Sequence, residues 1–189
     1  MDIKGLVALT HSQGIIRRYF IVNGFDGALT MLGLILGFLF STPTDINNII
    51  NVCMGVSIAL CMSGISSAYV SESAERKYVL TQLENAMITD LSQSYHAHAA
   101  RIVPIIIALV NGLAPLFISL FILLPLWFYK SGMALPISPL IISVLIAMTI
   151  IFLLGVFLSR VSGMSWWRSG IRTLLVGILT AALIFAFVG

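Results

Sequence analysis

The chain has 189 residues, of which 59% are hydrophobic and only 9% charged, with a mean hydropathy of +1.08. Soluble domains carry about 25% charged residues, so this composition excludes a water-soluble fold and places the chain among integral membrane proteins. The net charge of +3 does not make it a nucleic-acid binder, because the basic residues sit at the edges of apolar runs, where membrane topology puts them.

The N-terminal "MDIKGLVALTHSQ" has too short an apolar stretch for a signal peptide. Apolar runs of membrane-crossing length then predict five helices, at about 20–41, 48–71, 102–128, 135–158 and 170–188. "STPTD" at 41–45 is a polar turn between the first two, and "YKSGMALPISP" links the third and fourth. Residues 72–101 form the only sizeable polar piece. Leu80, Leu83 and Met87 recur there at helical spacing, which predicts a short helical segment continuing span two. Residues 1–189 read as a single all-α transmembrane domain without internal repeats.

Nine of the ten Lys and Arg residues fall on one side of this arrangement. They are Lys4, Arg17, Arg18, Arg76, Lys77, Arg101, Arg160, Arg168 and Arg172, against Lys130 alone. The positive-inside rule then predicts a cytosolic N-terminus and an outer or lumenal C-terminus. Trp127 and Tyr129 at one boundary, and Trp166 and Trp167 at the other, fit interfacial aromatic belts. Cys53 and Cys61, eight residues apart on one helix, are separated by about 12 Å, too far for a disulfide.

Asp26 is the sharpest chemical signal. An Asp at a helix centre costs about 2.5–3.5 kcal/mol on insertion scales, and such residues normally face a bundle interior and serve ions or protons. Asn23, Asp26 and Thr30 share one helical face, with Asp26 about 9 Å into the span. In span two, Met54, Cys61 and Met62 offer soft sulfur, and Glu72 and Glu75 offer hard oxygen at the cytosolic exit. Mixed donors of this kind suit Fe²⁺, although Met in an apolar helix is more often filler. The serines of span two, with Gly64, and the pair Gly33 and Gly37 are close-packing signals. Glu84 and Asp90 extend the acidic set at the cytosolic mouth, as cation collectors or as a solvated face. His96 and His98, two apart, point in opposite directions on a helix and cannot share an ion. Asn111 with Pro115 reads as a polar break inside span three, a feature that often lines an ion path. No nucleophile motif, phosphate loop or zinc spacing is present, so nothing points to an enzyme or to a bound cofactor.

"GFDGALTMLGLILGF" resembles the first-helix signature of the vacuolar iron transporter family, an Asp-Gly pair followed by a Gly-punctuated apolar run. "SSAYVSESAER" resembles the end of its second helix, and "LLGVFLSRVSGMSWWRSGIRTLLVGILTAALIFAFVG" its last two helices and their basic link. The resemblance implies a homodimer of five-helix subunits that exports Fe²⁺ or Mn²⁺ from the cytosol in exchange for protons, with the ion path between subunits. Asp26 matches the family's first-helix Asp, and Glu75 a family carboxylate at the inner end of helix two. The position of the family's helix-two Met, five before Tyr69, is Gly64 here. Met62, the nearest sulfur, lies about 200° around the helix from it. Compared with many members, the segment between helices two and three is short, which implies a member without the long Glu-rich metal-binding domain. The expected location is the cell membrane of a prokaryote or a vacuole-type organelle membrane.

A carboxylate out of water holds its proton more tightly, so one such group can take either a proton or a cation, and that competition is enough to couple two fluxes. On this expectation the transport path carries Asp26, Asn23, Thr30, Met62 and Asn111, and the metal meets Asp26, Glu72, Glu75, Met62 and Glu84. The alternatives are a membrane scaffold or regulatory subunit without transport, and a transporter of another cation on the same fold.

Overall fold

The computed structural model describes residues 12–41, 43–162 and 165–188. Lys4, His11 and the remainder of the N-terminal stretch lie outside the described residues. Five helices follow in order: α1 (Ser12–Phe40), α2 (Ile46–Met87), α3 (Tyr95–Lys130), α4 (Pro139–Ser162) and α5 (Trp166–Val188). Each is long and apolar enough to cross a membrane, and no strand occurs among the described residues. Backbone groups in a bilayer have no water to bond with, and an α-helix satisfies them within its own segment.

The helices outrun the apolar stretches. α1 begins at Ser12, well before its apolar run, and α2 continues unbroken for 42 residues to Met87. Residues 72–101 are therefore divided: the first part is the end of α2, and Tyr95 to Arg101 form the first turns of α3. α2 stops at Ile88, whose φ of 51° is left-handed, with its N–H bonded to the Glu84 carbonyl. α3 starts at a Ser94 cap, whose hydroxyl accepts the Ala97 N–H at 3.3 Å. It then runs straight through Pro104, Pro115 and Pro125. The expected polar break at Asn111 is thus absent: both residues lie within a continuous helix.

α3 is the central element, packed on α2, α1 and α4, while α5 packs on α4 and α1. α1 and α2 touch little despite their short link. Tyr19 meets Glu72 near the start of α1 and late in α2, so these two helices run antiparallel. Phe40 packs edge-on against Phe185 at 5.4 Å, so α1 and α5 end together. Arg17, Arg18, Arg76, Lys77 and Arg101 consequently gather at one end of the bundle, and Lys130 lies at the opposite end of α3.

The larger core cluster fills the less basic half, and a smaller one of Ala99, Val103 and Ile107 lies toward the basic end. Met31, Leu32 and Ile35 of α1, Ile49 and Cys53 of α2, Ile122, Leu123 and Leu126 of α3, and Ala147 and Ile151 of α4 form one buried cluster. Cys53 and Cys61 are both free thiols. α5 is mostly exposed, with only Ser169, Gly170 and Gly177 buried among its described residues. Lipid tails are as apolar as leucine, so such a face needs no protein cover.

Candidate functional site

Two close helix approaches set the geometry around Asp26. The first lies between α1 and α3. A Cβ on Gly27 would come within 2.7 Å of the Pro115 Cα, so only glycine lets the two backbones meet there. Asp26, one residue earlier and about 100° around the helix, is thereby turned away from α3 and is exposed on the outside of the chain's helix bundle. The Asp-Gly dipeptide thus divides its work. Gly27 seats the helix, and Asp26 faces out. Val22, Asp26, Thr30, Gly33 and Gly37 recur along this outer stripe of α1. Val22 is exposed and the last three are half-buried. A Cβ on Gly37 would meet nothing within 4 Å.

The second approach lies between α2 and α3. A Cβ on Gly64 would come within 3.0 Å of the Gly112 Cα and 3.1 Å of the Asn111 carbonyl oxygen. The position that the resemblance aligns with a metal-binding Met is therefore a backbone-to-backbone contact. Met62 is 56% exposed, on the outer surface of α2.

Between α1, α2 and α3 runs a polar seam. The Asn111 side chain, only 4% exposed, donates from Nδ2 to the Gly64 carbonyl at 2.7 Å. Its Oδ1 accepts from Asn23 Nδ2, which also donates to the Tyr19 carbonyl at 3.0 Å. The Tyr19 hydroxyl donates to Glu72 Oε1 at 3.3 Å, and Arg76 Nε stands 3.8 Å from Glu72 Oε2. Asn23 and Asn111 therefore meet, but inside the helix bundle rather than beside Asp26's open face. Glu72 is only 8% exposed and is engaged by a tyrosine and an arginine, whereas Glu75, three residues on, is exposed.

The remaining acids and histidines are dispersed. Glu84 accepts the Leu91 N–H at 3.2 Å and so ties the end of α2 to the following turn. Asp90 accepts the Ser92 N–H at 2.8 Å. That bond, with the Ser92 hydroxyl, holds its carboxyl below the usual carboxylate range. His96 and His98 are exposed in the first turn of α3. Among the described residues, no three His, Cys, Asp or Glu side chains converge as a metal site within one chain.

Sequence reasoning missed Tyr19 and Arg76. Tyr19 lies four residues before Asn23, on the same face, so the signal was available. The topology rule explains Arg76 as a flanking charge, and its position four residues after Glu72 carries a pairing signal as well.

The VIT family model matches residues 80–189, covering the end of α2 and all of α3 to α5, so Asp26 and the α1 stripe precede the matched region. An uncharacterized protein of the archaeon Methanocaldococcus jannaschii is 27% identical over 171 residues, which is 89% of this chain and 86% of that protein. No solved structure gives a significant match. Matched over more than half its length and built of five membrane-length helices, this integral membrane protein belongs to the VIT family, and metal-ion transport across a membrane is the activity that membership points to.

Proposed function

We propose that the protein exports a divalent cation, Fe²⁺ or Mn²⁺, from the cytosol in exchange for protons, as a homodimer with a cytosolic N-terminus and an ion path along the outer stripe of α1. The observation that carries this reading is the placement of Asp26. It lies eight residues, or about 12 Å, beyond Arg18 and is exposed on the outside of a membrane-length helix. Leaving a carboxylate against lipid there would cost about 2.5–3.5 kcal/mol. A second copy covering the stripe removes that contact and places two Asp26 carboxylates across one seam. Gly37 on the same stripe, where a Cβ would meet nothing within 4 Å, allows the close helix approach such a seam needs.

Two facing carboxylates are a hard-oxygen pair that binds a divalent cation when ionised and releases it when protonated. Glu75, exposed near the basic end of α2, is suited to receive the ion on the cytosolic side. Glu72 is held by Tyr19 and Arg76 and acts instead as a fixed counter-charge beside the path. Without a thioether at Gly64, oxygen donors dominate. That donor set suits Mn²⁺ at least as well as Fe²⁺.

The test is a flux panel. Purified protein in proteoliposomes loaded with a pH dye is given Fe²⁺, Mn²⁺ or Zn²⁺, and proton movement is followed for wild type and Asp26→Asn. Metal-driven proton movement that the substitution abolishes supports the proposal. Equal movement in both proteins removes it.

A further inference from the structure

At the basic end of the bundle, where α2 leaves its apolar run and α3 enters its own, a cleft of about 390 Å³ opens between the two helices. Lys77 of α2 and Arg101 of α3 both line it, with hydroxyls of Ser73 and Ser92 and the carboxylate of Glu84. Leu80 and two alanines of α3 supply an apolar floor. The one close acid–base pair among the described residues is Arg76 with Glu72. Lys77 and Arg101 are exposed, and neither has an acidic partner at that range among the described residues.

Two cations brought to one cleft from different helices repel each other unless an anion lies between them. Glu84 is the only acid in the lining, so its single charge leaves the cleft with one positive charge in excess. Guanidinium and ammonium groups with serine hydroxyls are the donor set for a phosphate group, the guanidinium in a bidentate manner. Both cations flank apolar runs, so the cleft lies at headgroup level, where basic pockets between membrane helices receive anionic lipids. The apolar floor matches the start of an acyl chain.

We propose that this cleft binds a phosphate-bearing anion, held by Lys77 and Arg101 between α2 and α3. An anionic phospholipid headgroup is the source that the apolar floor favours, and free phosphate is the other. The site is separate from the α1 stripe and does not depend on transport.

The test is lipid retention by the full-length protein, measured by native mass spectrometry in detergent with phosphatidylglycerol, phosphatidylcholine or inorganic phosphate added singly. Wild type is expected to bind phosphatidylglycerol saturably and in preference to phosphatidylcholine. The double variant K77Q/R101Q is expected to bind it about tenfold to thirtyfold more weakly, at the strength ordinary for two basic groups near a membrane surface. E84Q removes the repelling charge and is expected to bind it several-fold more tightly, a gain that misfolding cannot produce. The same pattern with inorganic phosphate alone would make the free anion the ligand. The proposal is overturned if neither probe distinguishes wild type from K77Q/R101Q. Should that variant fail to fold, the absence of a gain in E84Q overturns it.

Discussion

Installing a methionine at Gly64 would not give this protein the thioether that the family resemblance places there; it would force two helices apart. The new Cβ would sit 3.0 Å from the Gly112 Cα, 3.1 Å from the Asn111 carbonyl oxygen and 3.3 Å from the Asn111 carbonyl carbon. All three are backbone atoms, so no rotamer change relieves them. Overpacking of this kind costs about 1–3 kcal/mol. Parting the helices also stretches the Asn111–Gly64 bond of 2.7 Å, and interhelical bonds in membranes average about 0.6 kcal/mol, reaching about 1.7. Gly64→Met is therefore expected to destabilise by roughly 2–4 kcal/mol, a fall in Tm on the order of 5–15 °C. The assay is thermal denaturation of purified protein in detergent, followed by size-exclusion fluorescence. Gly55→Met is the matched control, on the same helix, where a Cβ would meet nothing within 4 Å. Equal Tm values for the two variants would refute the backbone contact between α2 and α3.

Asn111→Ala removes the donor to Gly64 and the acceptor for Asn23. It is expected to cost about 1–2 kcal/mol, seen in the same melting assay, whereas a surface change such as Met62→Ala should stay within about 0.5 kcal/mol. Ile88 holds a left-handed φ of 51° while 92% exposed, a conformation that costs a β-branched residue about 1–2 kcal/mol. Ile88→Gly is therefore expected to raise stability by up to about 1 kcal/mol, since glycine's larger unfolded-state entropy offsets part of the relief. Slower amide exchange at Ile88 and Thr89, whose N–H groups both reach the Glu84 carbonyl, is the readout.

The membrane class and the five helices were legible because hydropathy directly reports which segments a bilayer accepts. Helix ends were not. The spacing of Leu80, Leu83 and Met87 announced that α2 would continue past its apolar run, but not that the polar segment would be shared, with α2 ending at Met87 and α3 beginning at Tyr95. Pro115 looked like an interruption from sequence. In the structure its neighbourhood is where Gly27 lets α1 seat against α3, so the proline marks a contact rather than a break. Helical periodicity put Asn23 and Asp26 on one face, yet their fates diverge. Asn23 turns to Asn111 at the edge of the α1–α3 contact, while Asp26, three residues on, lies past that edge. Glu72 and Glu75 likewise share a spacing but not an environment, because Tyr19 approaches only the former. Which residue of a pair meets a neighbouring helix depends on the helix arrangement, which a single sequence does not contain.

The central claim is that a proton and a divalent cation compete for Asp26. Metal-induced proton release tests it most directly: purified protein in weakly buffered detergent solution is titrated with Mn²⁺ while a pH dye records the protons freed. The account predicts saturable release from wild type and none from Asp26→Asn at the same folded concentration. Undiminished release from Asp26→Asn would contradict it.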